Sequence, residues 1–428
     1  MNRVKFVSPD EAVRLIESGD HVYIQGSTSI PEVLVEALAA RGHELRDVTV
    51  YSGFAVARRP SPLCRPEFKD SFLIDSFFVS NAFRKWIADG YGSMTPRFLG
   101  EVPELFRDGT CRVDVALINC SLPDDEGYVS FGVSADLATA AVECADRVIA
   151  QINPHVPFTP GDAVIHLSRL AAAVSVDEPL VEVPTATPTE AEIRIGNFIA
   201  EQIPDGATLQ IGVGGIPNAV IRALQGHRHL GLHTEAMTDG VLPLLESGVI
   251  DNSLKTVMPG KSVASLALGS RALYDFLDHN DQVIFKDVAW TNNPYTIAQN
   301  PKVMSINSCL EIDLTGQVCA ESIGSKQHSG TGGASDFAYG AYYSKGGRAI
   351  LAQSSTTKKG TLSRIVSILE PGAIVSVSRN LTDMVVTEYG VAKLRARTVK
   401  QRAENLIAVA HPDFRAELRR EANKYMYY

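Results

Sequence analysis

The feature that most constrains this chain is that it contains a copy of itself. The segment Asp20 to Pro31 aligns with Ala207 to Pro217 at an offset of about 186 residues. The spacing from Gly26 to Pro31 equals that from Gly212 to Pro217, and each Pro precedes the last Leu of the next segment, Leu38 or Leu224, by seven residues. A helical pattern ending in Gly leads into each copy, Glu11 to Gly19 and Phe198 to Gly206. Each copy therefore reads as helix, strand, Gly-containing loop and a helix opened by Pro, whose missing N–H costs nothing in a first turn. Such alternation builds mostly parallel open sheets covered by helices. Two copies predict an α/β protein of two related, mostly parallel open-sheet domains. The break falls in the aperiodic Pro/Thr stretch 181–190, giving residues 1–185 and 186–428. Further strands are expected at 48–52, 113–120, 147–152, 231–234, 283–286, 303–306, 349–352 and 373–378.

Composition narrows the function. With 428 residues, 45% of them apolar and 21% charged, there is core enough for more than one domain. A net charge of −9 argues against nucleic acid as a partner, because that binding needs clustered cations facing phosphates. The charge is uneven. Residues 345–428 carry fifteen Lys or Arg against seven Asp or Glu, and Lys393, Arg395, Arg397, Lys400 and Arg402 read as the outside of an amphipathic helix. Six cysteines show neither a CxxC nor zinc-ligand spacing, so no metal site is expected. No apolar run approaches 18 residues, and a cytoplasmic protein without a membrane span is expected.

Two Gly clusters stand out as places for chemistry. Gly212-Val213-Gly214-Gly215-Ile216-Pro217 follows a strand and opens a helix, near a dinucleotide-binding pattern but with Pro217 where the third Gly belongs. No Gly-Lys-Ser/Thr follows, which excludes a P-loop. Ser329 to Phe337 (SGTGGASDF) offers backbone N–H groups to an anion or a developing oxyanion.

Taken together, Ile211–Val220 (IGVGGIPNAV), Leu232–Gly240 (LHTEAMTDG), Glu311–Val318 (EIDLTGQV), Ser329–Phe337, Ser363–Val366 (SRIV), Val386–Ala392 (VTEYGVA) and Ile407–Phe414 (IAVAHPDF) resemble the acetyl-CoA hydrolase/transferase family. Within it the likeness is to 4-hydroxybutyrate and butyrate CoA-transferases, and it spans nearly the whole chain. The resemblance implies that Glu235, the Glu of HTExxxDG, is a nucleophile that carries CoA as a glutamyl thioester between small carboxylic acids. It implies CoA-binding or oxyanion roles for the backbone of Gly212, Val213, Gly214, Gly215, Ile216, Gly332 and Gly333. Lys358, Lys359 and Arg364 are candidate partners for the CoA phosphates, and Ala334 is placed at the acyl pocket. Many relatives have Gln directly after the second Gly of the 332/333 pair, so Ala334 puts the acyl substrate at issue rather than the reaction type.

Acyl-CoA and small acids are the implied partners, with no tightly bound cofactor and a homodimer or larger assembly. An acyl-CoA hydrolase admitting water to the same intermediate, and a non-catalytic acyl-CoA or metabolite sensor, are the competing readings. Asp239, Glu311, Asp313, Asp336 and Glu388 sit in the same motifs and read as caps or strand-end acids. His233 and His328 read as structural.

Overall fold

Short apolar runs bounded by turns become strands, and most of them assemble into two large sheets in the computed structural model, which describes residues 4–357 and 359–425. The chain divides into two units. One holds the described chain up to Pro184 together with Val263–Thr291, and the other holds Thr185–Ser262 and the chain from Asn292 onward.

The first unit carries a seven-stranded sheet made of β1 (His21–Ile24), β2 (Val48–Ser52), β3 (Phe72–Ser76), β4 (Gly92–Met94), β5 (Val115–Cys120), β6 (Arg147–Ile152) and β7 (Ala172–Ser175). Its order is β4-β3-β2-β1-β5-β6-β7, parallel throughout. Every residue of β5 is buried, as an inner parallel strand requires. The second unit carries β8 (Thr208–Ile211), β9 (Gly231–Leu232), β10 (Val303–Ser308), β11 (Arg348–Ala352), β12 (Met384–Thr387) and β13 (Gly390–Lys393). Their order is β9-β8-β10-β11-β12-β13, parallel except for the β12–β13 pair.

The repeat is visible in this topology. β1 has the next strand, β2, on one side and the later β5 on the other, just as β8 lies between β9 and β10. The strand order reverses at β1 and at β8, which opens a crevice at their carboxyl ends. The Gly loops leave those ends and enter α1 (Glu32–Ala40) and α4 (Gly215–Ala223). Between these helices in sequence come α2 (Ala138–Cys144) and α3 (Glu190–Ala200), the latter started by a reciprocal Thr189–Glu192 capping box. Gly196 of α3 lies so close to Ala219 of α4 that a Cβ would strike its backbone. That close approach seats α4, and with it the loop in front.

The α/β class and the mostly parallel sheets agree with expectation, and several details differ. Pro31 is the residue before α1 rather than inside it, and Pro217 is the third residue of α4. Residues 373–378 form no strand. The Pro371-Gly372 turn, with Gly372 at φ +88°, interrupts pairing, and only Val377 bridges to Val318. β3, β4, β7, β12 and β13 escape the sequence reading. Of the five basic residues read as one helix face, Lys393 ends β13 and only Lys400 and Arg402 lie in α6 (Val399–Val409), which follows α5 (Ala334–Tyr343).

In the first unit the carboxyl of Asp136, 3% exposed, accepts a hydrogen bond from Ser134 Oγ at 2.8 Å just ahead of α2. Burial, with a smaller push from Asp287, raises its pKa to about 6. The folded state then holds a proton that an unfolded Asp releases near pH 4, so stability is full below that pH and falls as pH rises to 6. Urea titrations of Asp136→Asn should show that loss removed, up to about 1.4 kcal/mol per pH unit over this window. Identical pH slopes in both proteins would refute the assignment.

Candidate active site

The second unit's sheet delivers its chemistry at the carboxyl end of β8. Gly212 N–H donates to Ile306 C=O at 3.1 Å, extending the β8–β10 pairing by one residue. The chain then turns through Gly214 at φ +129°, where an added Cβ would meet nothing within 4 Å. Backbone conformation, not space, demands glycine there. α4 starts at Gly215, beside the Glu192 carboxylate, with Val213 exposed and Ile216 buried. The N–H groups at the start of α4 have no acceptor within the helix and carry its positive dipole end.

Glu235 leaves the neighbouring strand at the same edge. His233 N–H donates to Leu209 C=O at 3.0 Å, and the Thr234 hydroxyl binds the Ile211 backbone, accepting from N–H at 3.4 Å and donating to C=O at 3.3 Å. The chain is thus held to β8 up to the residue before Glu235. The half-buried Glu235 carboxylate accepts a hydrogen bond at Oε2 from Asn292 Nδ2 at 2.9 Å. The same amide donates to Asp336 Oδ2 at 3.2 Å. Asn292 is fully buried, and its Oδ1 has no hydrogen-bond partner among the described residues. The amide orientation is settled by its neighbours, because Oδ1 in place of Nδ2 would face two carboxylates.

The second Gly cluster closes on this carboxylate. Gly332 adopts φ +56°, and Gly333 precedes α5 at φ −91°. A Cβ on Gly333 would overlap both Glu235 Oε2 and Asn292 Nδ2. Glycine is demanded here by close approach, and the backbone entering α5 lies against the Glu235 carboxylate. The loop is organised by Glu321, 4% exposed, whose carboxylate accepts from Thr331 Oγ1 at 2.8 Å. The Glu321 carbonyl takes the N–H groups of His328 and Ser329 at 2.8 and 3.1 Å. Burial pushes the Glu321 carboxyl pKa up.

The structure thus brings together Glu235, the Gly332–Gly333 backbone and, through Thr234 and Ile211, the start of the Gly212 loop. Ala334 opens α5 half-buried and packs against a core cluster that includes Ile312 and Leu351. Lys359 is exposed; Arg364 is half-buried, its N–H donating to Ser355 C=O at 2.9 Å, and its guanidinium field acts on Cys309. Lys358 lies outside the described residues. Asp239 accepts from Thr185 Oγ1 at 3.2 Å, Asp313 accepts from the N–H groups of Thr315 and Gln317, and Glu388 accepts from Ser355. Asp239 is bound by a side chain 54 residues away in sequence rather than by a helix end, whereas Asp313 and Glu388 agree with the strand-end reading. Asp336 does not, since it joins the Asn292–Glu235 network. Asn292 and Glu321 escape the sequence reading; the only signal for Asn292 is the Asn pair 292–293 ahead of Pro294.

Among the described residues no group of three or more His, Cys, Asp or Glu side chains is placed to hold a metal ion. No described helix is long and apolar enough to cross a membrane.

A fold of this kind, with a carboxylate at the switch point of a parallel sheet, is that of the CoA-transferases. The crystal structure of a 4-hydroxybutyrate CoA-transferase from Porphyromonas gingivalis superposes with a TM-score of 0.85 at 42% identity, covering 99% of this chain and 98% of the other. Models of the acetyl-CoA hydrolase/transferase N-terminal and C-terminal domains match residues 2–184 and 269–422, and the chain belongs to that family. It is 43% identical to the 4-hydroxybutyrate coenzyme A transferase of Clostridium kluyveri over 98% of this chain and 97% of that one. It is 41% identical to the succinyl-CoA:cyclohexane-1-carboxylate CoA transferase of Geobacter metallireducens over 99% and 96%. Five relatives of near full-length overlap, at 34–43% identity, carry CoA-transferase names with different acids.

Proposed function

We propose that this chain transfers CoA between small carboxylic acids in two half-reactions through Glu235. The observation that carries the reading is a carboxylate at the sheet's carboxyl edge, held by a buried amide and pressed against glycine backbone. A Glu235 oxygen attacks the acyl-CoA carbonyl, and the C–S bond breaks to give an acyl-glutamyl anhydride and CoA thiolate. The thiolate attacks the glutamyl carbonyl, the first acid leaves as its carboxylate, and the glutamyl-CoA thioester remains. A second carboxylate attacks this thioester, and the same steps in reverse yield the new acyl-CoA.

Each tetrahedral intermediate places charge on an oxygen, and the backbone N–H groups entering α4 and α5 are the proposed donors. Thioester and anhydride are close in energy, so the activation survives only where water is kept out. Acids of about two to five carbons, such as acetate, butyrate, 4-hydroxybutyrate, succinate or itaconate, are the proposed acceptors on the family's pattern, with Ala334 bearing on the choice among them. Lys358, Lys359 and Arg364 are the proposed contacts of the CoA phosphates. We place the protein in the cytoplasm as a homodimer or larger assembly, with CoA esters as its substrates and no tightly bound cofactor.

Initial rates with acetyl-CoA or succinyl-CoA as donor and a panel of these acids test the proposal. Double-reciprocal plots should be parallel, as two half-reactions through one covalent enzyme require, and release of free CoA without acceptor should stay small. Steady CoA release that needs no acceptor would make the chain a hydrolase, and stoichiometric binding without turnover would make it a sensor.

A further inference from the structure

On its open edge the segment leading to Glu235 is met by the backbone of residues 249–252 at Leu230 and by two side chains of the loop that follows at Leu232. β9 is only two residues long and is the outermost strand of its sheet, pairing with β8 alone. The N–H groups of Gly231 and His233 donate inward, to Ala207 and Leu209, at 2.9 and 3.0 Å. By strand alternation the N–H and C=O of Leu232 therefore face away from the sheet, where an edge strand ordinarily presents unpaired groups.

Both are taken by side chains. Asn252 Oδ1 accepts the Leu232 N–H at 2.8 Å, and Lys255 Nζ donates to the Leu232 C=O at 2.9 Å. Each of the two residues is 4% exposed. The Lys255 stem crosses Gly231 so closely that a Cβ there would overlap Lys255 Cγ and Cδ.

The loop carrying these two groups is itself fastened. Asn252 sits at φ +57° with its Nδ2 on Ser262 Oγ at 3.1 Å, and Lys255 Nζ makes a second bond to Lys261 C=O at 2.6 Å. Thr256 and Val257 donate their N–H groups to Asn300 Oδ1 at 3.2 and 3.0 Å, and Asn300 Nδ2 lies 3.4 Å from His233 Nδ1. Burying an amine to bind two backbone carbonyls is costly, and burial lowers its pKa to about 7. An apolar side chain would fill the same space without that cost but would leave the Leu232 carbonyl without a donor.

We propose that Asn252 and Lys255 are positioning residues for Glu235. They take over at Leu232 from the backbone bridge that ends at Leu230 and Ile250, and so fix the point from which the chain leaves β9, three residues before the carboxylate. The inference rests on Glu235 being the nucleophile. Both side chains bind the strand at the Leu232 backbone, and it is through that backbone that they act on Glu235.

The test is the rate at which CoA is added to the peptide containing Glu235. Protein is mixed with acetyl-CoA or succinyl-CoA without acceptor, quenched over time and read by mass spectrometry, alongside steady-state kcat and KM. Lys255→Met, close in length and lacking donors, should slow labelling and kcat about 10- to 100-fold, because an ångström of misplacement costs on that order. KM for the acyl-CoA should stay within about threefold, since the binding groups are untouched. Asn252→Asp keeps an acceptor for the Leu232 N–H, with its added charge facing Lys255 across Leu232, and should label within about threefold of the parent. Asn252→Ala should be slowed like Lys255→Met.

Unlabelled parent protein would overturn the nucleophile reading itself. Labelled parent with equal rates in folded Lys255→Met would overturn the clamp alone. Should Lys255→Met fail to fold, the two Asn252 variants decide, and equal labelling by Asp and Ala would overturn the clamp.

Discussion

Glu235→Ala should lose CoA transfer by on the order of 10,000-fold or more while folding normally, since removing a covalent nucleophile takes away the chemical route rather than one contact. Glu235 is half-buried and its Oε2 is bound by Asn292, so truncation leaves one buried amide donor short of a partner. That loss is of order 1–3 kcal/mol in stability, too little to unfold a chain of this size. Glu235→Asp should be about 100-fold slower, because the shorter side chain withdraws the nucleophile by about an ångström. Parent protein incubated with acyl-CoA and no acceptor should gain CoA on the Glu235 peptide, and borohydride should then inactivate it. Transfer by Glu235→Ala at the parental rate would falsify the mechanism.

Gly333→Ala should reduce kcat about 100- to 1000-fold, the range expected when an oxyanion donor or its alignment is lost. The added methyl meets the carboxylate of Glu235 and the amide of Asn292, so the variant folds by displacing the proposed nucleophile and the amide that holds it. The backbone there, at φ −91°, suits any residue, and the melting temperature should change by only a few degrees. Gly214→Ala should behave in the opposite sense. There is room for its methyl, but φ +129° is strained for it by about 1–3 kcal/mol, so stability and loop geometry suffer together. Paired thermal melts and kinetics check both variants, and a Gly333→Ala protein with normal kcat would show that this loop does not press on the nucleophile.

Much of the fold was legible because its signals are local. The helix-strand-loop pattern around Gly26 and Gly212 depends on residues within a dozen positions, and β2 and β6 run over the residues read as strands. Residues 373–378 misled because an apolar run says nothing about whether a neighbour strand is available. In the folded chain only Val377 finds a bridge, to Val318. β9 and the residues after it show the same effect in reverse. The run 231–234 pairs for two residues, and then the Thr234 hydroxyl takes over the Ile211 backbone.

The site divides along the same line. Sequence alone determined the α/β repeat, the two Gly loops and, through the motif around it, Glu235. Tertiary structure alone decided what surrounds that carboxylate. Asn292 and Asn293 are adjacent and chemically identical, yet Asn293 caps a short helix by accepting from Tyr295 N–H at 2.9 Å while Asn292 binds Glu235, 57 residues away in sequence. Gly214 and Gly333 read alike in sequence, and only packing shows that one serves a backbone angle and the other a close approach. The reason is physical: propensity, capping and turn chemistry act between chain neighbours, whereas the partner of a buried polar group is set by which distant segments the sheet order brings to one edge.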